Sequence, residues 1–310
     1  MIYTVTLNPA IDRELTVSHL AYDTVLRALG WQIDFGGKGF NVSRMLRAMG
    51  MDSCALGFVG GKSGEILQEG LQALDIETDF VWVAGETRTN ISIVTSDHGH
   101  YLKVNEPGPE IPASRQAELM ERIRHHVRSG DWWVLAGSLP PGVSETMYAE
   151  MVKVIEAGGA HSILDTSGPA LAHGCRAGAY LVKPNASEAE NLTGMAVQTP
   201  EDALKAASCI REMGAKVVII SLGKLGAVLS TDQQSWLALS PLIEESNPIG
   251  AGDALVGGLV WALNMGYTMD EALQWGVACG AASASLDGTA VGGREFVRSL
   301  YEQVTISALG

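Results

Sequence analysis

Short apolar runs alternate along the chain with longer segments in which apolar positions recur every three or four residues. Predicted strands lie at residues 2–7, 54–59, 132–136, 162–164, 180–182 and 217–221. Predicted helices lie at residues 42–49, 63–74, 117–127, 145–156, 188–192 and 200–213. This order predicts an α/β fold in which a parallel sheet carries helices on both faces. Ligands are expected at the edge where the carboxyl ends of the strands meet.

Two segments interrupt this alternation. Residues 11–35 contain strand-like pieces at 14–17 and 23–29, and residues 89–105 are typical of a hairpin with strands 90–95 and 101–105 around a turn at 96–99. Neither segment has a helix to cover its second face. We therefore predict one domain, residues 1–310, with a small β-sheet lid built from two insertions. The uncovered face of that lid should meet a ligand, a partner subunit or both.

Composition narrows the classes of function. Hydrophobic residues make up 46% of the chain, enough for a large core, and the formal net charge is −14. A surface this acidic repels nucleic acid and anionic membranes, so neither is an expected partner. The first residues lack the basic region of a signal peptide, and the apolar stretch at 254–263 is too short to span a membrane. We expect a soluble, cytoplasmic protein whose four separated cysteines are buried thiols.

The strongest local signal for chemistry is the segment 247–253, Asn-Pro-Ile-Gly-Ala-Gly-Asp, which precedes an apolar helical run. Gly250 and Gly252 permit a tight turn that exposes backbone N–H groups at a helix N-terminus, where phosphate oxygens bind well. Asp253 then falls in the first turn of the helix, where its carboxylate can accept a proton from a hydroxyl. The alternative is that Asp253 only caps the helix.

A second glycine-rich segment, Gly-Gly-Lys-Gly-Phe-Asn at 36–41, also opens a helix, and Asn41 there can bind sugar hydroxyls. The segment 57–63 resembles a Walker phosphate loop but is one residue short of its spacing, so we interpret it as a strand-to-helix turn. No GxGxxG follows the first strand, which disfavours a dinucleotide-dependent oxidoreductase.

Taken in order, these segments resemble the PfkB (ribokinase-like) family of carbohydrate kinases over essentially the whole chain. The matching motifs are Asn-Pro-Ala-x-Asp at 8–12, the segment 36–41, Gly-Ser-Leu-Pro-Pro-Gly at 137–142, Val-Lys-Pro-Asn at 182–185, Ser-Leu-Gly-Lys-x-Gly at 221–226 and residues 247–254. The first and third are most similar to the hexose-phosphate branch, which comprises 1-phosphofructokinase, tagatose-6-phosphate kinase and the minor 6-phosphofructokinase. The resemblance implies a Rossmann-like core with a β-sheet lid, usually paired in a homodimer through that lid.

The resemblance also implies roles for residues on the acceptor side. Asp253 is the catalytic base, and the N–H groups of Gly250, Ala251 and Gly252 form an anion hole. The residues expected to bind the sugar or its phosphate are Asp12, Arg27, Gly36, Gly37, Lys38, Asn41, Arg88, Asn90, Lys103 and Ser138.

Several of these have plainer alternatives. Lys38 could be merely solvated, and so could Arg27, which we place on the second lid strand, where it could act from the partner subunit. Many 1-phosphofructokinases carry a lysine at the position of Ser92, and Lys103 on the opposite hairpin strand could replace it.

On the nucleotide side, the resemblance assigns ATP to Lys183, Asn185, Ser221, Gly223, Gly226 and Gly252. Glu188 should influence Mg²⁺ through water, although a glutamate in the first turn of a helix also stabilises that helix. The small residues at 278–284 would line the adenine site, and helix packing explains them equally well.

These expectations combine into an Mg²⁺- and ATP-dependent kinase that converts a ketohexose monophosphate to its bisphosphate, with fructose 1-phosphate the leading acceptor. Tagatose 6-phosphate and fructose 6-phosphate remain alternative acceptors. A catalytically silent sugar-phosphate sensor is a more distant alternative, and the retained Asp253 and Lys183 argue against it.

Overall fold

A computed structural model describes residues 1–97, 99–286, 288 and 290–309. The strands are β1 Ile2–Thr6, β2 Ala10–Val17, β3 Gly30–Gly36, β4 Cys54–Gly60, β5 Glu77–Val83, β6 Arg88–Thr95, β7 Tyr101–Asn105, β8 Trp132–Ala136, β9 His161–Asp165, β10 Leu181–Val182, β11 Val217–Ser221, β12 Ala227–Ser230, β13 Ser235–Leu239 and β14 Thr305–Leu309. The helices are α1 Lys38–Ala48, α2 Gly61–Gln72, α3 Ala113–His126, α4 Met147–Ala157, α5 Gly168–Arg176, α6 Ala186–Thr193, α7 Pro200–Glu212, α8 Ala251–Asn264, α9 Met269–Ala284 and α10 Arg294–Tyr301, with a 3₁₀ turn at Gly223–Leu225.

The larger sheet has ten strands in the order β14-β13-β12-β11-β10-β9-β8-β1-β4-β5. From β11 to β5 all neighbours are parallel, and β12, β13 and β14 extend the sheet antiparallel at one edge. The predicted α/β fold with a parallel sheet is therefore confirmed. The antiparallel extension was not predicted, because its strands are short and their apolar runs are not bounded by strong turn signals.

Helices cover both faces of this sheet. Trp133 belongs to the core beneath α3, α4, α5 and α7, whereas Trp132, the preceding residue on β8, belongs to the core beneath α1, α8, α9 and α10. Successive side chains of a strand point to opposite faces, so a strand buried on both sides is apolar throughout. All five residues of β8 are buried, which explains why this strand is a continuous apolar run. Strand β1 is equally buried but carries Thr4 and Thr6 among its apolar residues.

The second sheet has four strands in the order β3-β2-β6-β7 and forms the lid. Its hairpin β6–β7 lies where it was predicted; His98, in the predicted turn, falls outside the described residues. The second lid strand was predicted wrongly at 23–29, since it is Gly30–Gly36 that pairs with β2. Residues 18–29 form an irregular connection, in which Tyr22, Val25 and Leu29 are exposed. Apolar alternation in that segment therefore does not reflect strand pairing.

The lid has one polar and one apolar face. Register places Asp12 beside Asn90 and Asp34, and the next same-face position pairs Ser92 with Lys103. The opposite face is apolar: Ile11, Ile33 and Phe35 pack against the core around α2, whereas Trp31, Ile91, Leu102 and Val104 are exposed. No helix in the described part of the chain is long and apolar enough to cross a membrane.

Candidate active site

A cavity of about 730 Å³ lies at the carboxyl ends of the parallel strands, beneath the polar face of the lid. This is the edge where ligands were expected. Most of the residues predicted for the site line the cavity: Asp12, Gly37, Lys38, Asn41, Arg88, Asn90, Lys103, Ser138, Lys183, Asn185, Glu188, Ser221, Gly223, Gly226, Gly250, Ala251, Gly252 and Asp253.

Two predicted residues do not line it. Arg27 is exposed in the irregular connection 18–29, so its placement on a lid strand was wrong. Gly36 lies behind Asp12 instead of facing the cavity: a Cβ at Gly36 would lie 2.0 Å from Asp12 Oδ2. Gly36 therefore leaves room for the Asp12 carboxylate.

Asp253 lies in the first turn of α8, and only 7% of it is exposed. The residue that precedes the helix, Gly250, has a φ of 84°, which is left-handed and favours glycine. Gly250 has no side chain with which to cap the helix, and Asp253 Oδ2 accepts a hydrogen bond of 2.8 Å from Asn41 Nδ2. The alternative in which Asp253 is only a cap is therefore wrong. Burial, reinforced by the charge of Asp165, raises the pKa of Asp253 to about 6 although Lys38, Asn41 and Lys183 oppose the shift.

Asp165, at the end of β9, was missed by sequence reasoning. Its buried carboxylate lies between two lysines: Oδ1 is 2.9 Å from Lys38 Nζ and Oδ2 is 3.2 Å from Lys183 Nζ. Burial alone would raise the pKa of Asp165, but the two ammonium groups hold it below its usual value. Lys38 is thus ion-paired and not merely solvated. The available signal was the polar run Asp165-Thr166-Ser167 directly after a predicted strand.

Three asparagine side chains that line the cavity each use their amide nitrogen within the protein. Asn90 donates to Asp12 Oδ1 at 2.8 Å, Asn8 to the Pro107 carbonyl at 3.1 Å, and Asn41 to Asp253. Their amide oxygens, and the hydroxyl of Thr6, are buried without a partner among the described residues. Unpaired buried acceptors are costly, so this region is suited to a ligand that brings several hydroxyl donors.

Two cations line the lid side of the cavity. The Arg88 guanidinium donates twice to the Asn8 carbonyl, at 3.0 and 3.2 Å, and once to the Glu106 carbonyl at 3.2 Å. An arginine has five N–H donors, so two remain for an anion. Lys103 is exposed on β7 and also lines the cavity.

The other half of the cavity is bounded by the Gly223–Leu225 turn, the loop at 240–249 and α9. Gly280, Ala281 and Ala284, from the small-residue run at 278–284, form an apolar wall together with the neighbouring Val277. The ion pair between Lys224 and Glu245, 3.5 Å long, joins the two loops at the entrance. The small apolar side chains on this side leave room for a ligand with an apolar ring.

Glu188 lines the cavity at the start of α6 and forms a reciprocal cap with Asn185. Its Oε2 accepts from the Asn185 N–H at 2.8 Å, and its own N–H donates to Asn185 Oδ1 at 2.9 Å. Glu188 therefore does stabilise α6, as the alternative predicted, and its Oε1 remains available for a further contact. Among the described residues there is no group of three or more His, Cys, Asp or Glu side chains able to hold a metal ion.

Comparisons of sequence and of structure with known proteins agree on one family. The model of the pfkB family carbohydrate kinase matches residues 5–294. The 1-phosphofructokinase of Bacillus subtilis is 34% identical over 317 residues, covering all of both chains. The ATP-dependent 6-phosphofructokinase isozyme 2 of Mycobacterium tuberculosis is 31% identical over 97% of this chain and 89% of its own. Phosphofructokinase-2 of Escherichia coli has a fold similar to this one with a TM-score of 0.92, at 29% identity over 97% of this chain and 98% of its own, and it has also been solved as a tetrameric inhibited form.

Proposed function

Because the chain belongs to the pfkB family of carbohydrate kinases, we propose that it transfers a phosphoryl group from ATP to a ketohexose monophosphate. Fructose 1-phosphate is the leading acceptor and fructose 1,6-bisphosphate the product. The observation that carries this proposal is the buried carboxylate of Asp253 at the N-terminus of α8, in one cavity with the ion-paired Lys38 and Lys183.

In this proposal Asp253 accepts the proton of the attacking sugar hydroxyl while Asn41 holds its carboxylate in place. Negative charge develops on the oxygens of the phosphoryl group during transfer, and the partial positive charge at the N-terminus of α8 stabilises it. The N–H of Ala251 already donates to the Pro248 carbonyl, at a long 3.3 Å, so Gly250 and Gly252 are the stronger candidates for the anion hole. A Cβ at Gly252 would lie 3.4 Å from Lys183 Nζ, which brings that cation to the same place.

The chain's residues fit a role for Mg²⁺ as a partner of the nucleotide phosphates. Mg²⁺ keeps several waters and is usually bound by one or two carboxylates together with substrate phosphates. Glu188, with one carboxylate oxygen free of its cap, would hold the ion through water. When bound, the ion neutralises phosphate charge.

The phosphate already on the acceptor needs cations on the lid. We assign it to the two free donors of Arg88 and to the ammonium of Lys103, with Asp12, Asn90 and Ser138 binding the sugar hydroxyls. Lys103 lies directly across the β6–β7 pair from Ser92, so it reaches the same polar face as a lysine at that position would.

Fructose 6-phosphate is the second candidate acceptor, favoured by the 31% identity to the Mycobacterium tuberculosis enzyme. Tagatose 6-phosphate remains a third. The amide oxygens of Asn8, Asn41 and Asn90 can meet the hydroxyls of any of these sugars, so the cavity alone does not rank them.

The test is steady-state turnover of ATP to ADP, with magnesium, against fructose 1-phosphate, fructose 6-phosphate, tagatose 6-phosphate and unphosphorylated fructose. We expect kcat/KM to be highest with fructose 1-phosphate and far lower with fructose. A preference for another monophosphate would replace the acceptor but keep the kinase. Binding of the monophosphates without turnover would point to the sensor and remove the catalytic role of Asp253.

We also propose that two copies pair through their lids. Trp31 is 66% exposed and Val104 56%, and both lie on the apolar face with Ile91 and Leu102. An exposed apolar face of this kind is typical of a protein–protein interface. A second lid offers the same apolar side chains and the same twist.

A further inference from the structure

We propose that Glu86, outside the cavity, is a positioning residue that anchors the start of lid strand β6 to the N-terminus of α2. The glutamate belongs to the connection at 84–87, through which the chain passes from the large sheet into the lid. The inference rests on the proposed function, since it concerns how the lid binds the sugar phosphate.

The anchor is a carboxylate seated where an anion would bind. Glu86 Oε1 accepts from the Lys62 N–H at 3.1 Å, and Oε2 accepts from the Ser63 N–H at 2.9 Å. These two donors, that of Ser63 foremost, hold the pKa of Glu86 below its usual value. Gly61 has a φ of 61°, and a Cβ there would lie 2.2 Å from the carboxylate. The glycine-rich turn that imitates a phosphate loop is thus filled by the protein's own side chain.

Thr87, the next residue, adds two hydrogen bonds between this connection and Gly60. Thr87 donates its N–H to the Gly60 carbonyl at 2.8 Å, and its hydroxyl accepts from the Gly60 N–H at 2.9 Å. Thr87 is itself buried between α2 and the lid. Two successive residues therefore fix the connection at four points to the end of β4 and the start of α2.

The binding side of the lid begins directly after this connection. Arg88 and Asn90 lie two and four residues beyond Glu86 and line the cavity. Arg88 aims its guanidinium by bonds to the Asn8 carbonyl, which depend on where β6 begins. Displacing a binding group by an ångström is enough to weaken productive binding severely. Glu86 also caps α2, which has no acidic residue in its first turn. A cap alone would affect stability without affecting the sugar phosphate.

The experiment separates these two roles with matched variants. Glu86→Ala removes the anchor and Glu86→Gln keeps one acceptor oxygen. Asp202→Ala removes a similar carboxylate cap from α7, where Asp202 accepts from the Thr199 N–H at 3.2 Å and lies outside the cavity. We expect Glu86→Ala and Asp202→Ala to lower Tm to a similar extent. Only Glu86→Ala should raise KM for fructose 1-phosphate, on the order of tenfold, with KM for ATP unchanged, and Glu86→Gln should fall between.

A second readout does not depend on turnover. Backbone hydrogen exchange across residues 88–95 should accelerate in Glu86→Ala and not in Asp202→Ala. The anchor is overturned if Glu86→Ala leaves both the exchange of β6 and the KM for the sugar phosphate at wild-type values. A wild-type protein without activity would refute the proposed function, and exchange would still decide whether Glu86 fixes the lid.

Discussion

Four charged side chains, Asp253, Lys38, Asp165 and Lys183, lie together at the centre of the cavity. Asp165 lies between the two lysines and is kept ionised by them, whereas Asp253 lies nearby with a raised pKa. Two carboxylates with opposite shifts take different roles. Asp165 holds the lysines in place, and Asp253 is the group able to exchange a proton near neutral pH.

Replacing Asp253 with asparagine should abolish turnover without harming the fold. The kcat should fall by roughly two to four orders of magnitude, because general-base catalysis contributes about that much. ATP binding should stay near the wild-type value. The folded state raises the pKa of Asp253 above its unfolded value, so the ionised carboxylate is destabilising at neutral pH. Asp253→Asn should therefore raise Tm at pH 8, which separates lost chemistry from misfolding. Retention of more than about a tenth of wild-type kcat would refute the base assignment.

Activity should depend on pH through the same group. A base must be unprotonated to accept a proton, so kcat/KM should be flat above a pKa of about 6 and fall roughly tenfold per pH unit below it. The measurement is a profile of kcat/KM between pH 5 and 8 at saturating magnesium and ATP. An acid limb near the ordinary aspartate value of about 4 would mean that burial does not set the pKa of the base.

At the scale of elements, we expect the lid to position the acceptor sugar phosphate. Period-two alternation puts Asp12, Asn90 and Lys103 on the cavity side of the sheet, and a slip of one residue in any of their strands would turn that strand's side chain away. The register of β2 with β6 and of β6 with β7 therefore matters as much to binding as the side chains themselves.

Replacing Lys103 with methionine tests the assignment of the acceptor phosphate. A charged hydrogen bond is worth about 1.5–3 kcal/mol, so KM for fructose 1-phosphate should rise roughly ten- to a hundredfold, with kcat and KM for ATP little changed. Lys153→Met, an exposed lysine on α4 outside the cavity, is the matched control and should leave all constants unchanged. An unaltered KM in Lys103→Met would mean that Arg88 binds the phosphate without it.

The elements differ in how far the sequence predicts them. Strands β8 and β11 were predicted at their observed bounds, because runs buried on both faces are apolar from end to end. Helix α1 begins at Lys38, four residues before its predicted start. Gly39 disfavours a helix locally, so the sequence pattern predicted a later start, but tertiary packing outweighs this low helix propensity. The helices α5, α9 and α10 and the edge strands β12–β14 were not among the predicted elements.

The residues of the candidate site also differ in how far the sequence predicts them. Motifs predicted residues held by backbone turns, such as Gly250 and Asp253, because their spacing is local. Asp165 was missed because its importance comes from Lys38 and Lys183, which are far away in sequence and meet it only in the fold. The pairing of Glu86 with α2 is similarly invisible until β5 and α2 are side by side.

At the scale of the whole molecule, the exposed apolar face of the lid predicts a dimer. One charged residue introduced on that face should dissociate the dimer into monomers. Leu102 is 48% exposed on that face, and Leu102→Asp would place a carboxylate within the proposed interface. Sedimentation equilibrium should give a dimer for the wild type and a monomer for Leu102→Asp. Leu74→Asp, at a leucine 41% exposed outside the lid, is the control and should remain dimeric. An unchanged mass in Leu102→Asp, or a monomeric wild type, would exclude pairing through the lids.

The lysines at the centre of the cavity also have a consequence for how substrates arrive. Both proposed substrates are anions, and the molecule they approach carries a net charge of −14. In dilute buffer that charge acts over about 30 Å and slows their encounter, but near physiological ionic strength the Debye length shrinks to about 8 Å. The acidic surface is then largely screened, whereas Lys183, only 4% exposed, keeps its attraction inside the cavity. Moderate salt should therefore speed the capture of sugar phosphate, so dilute buffer underestimates how fast this protein works under cellular conditions.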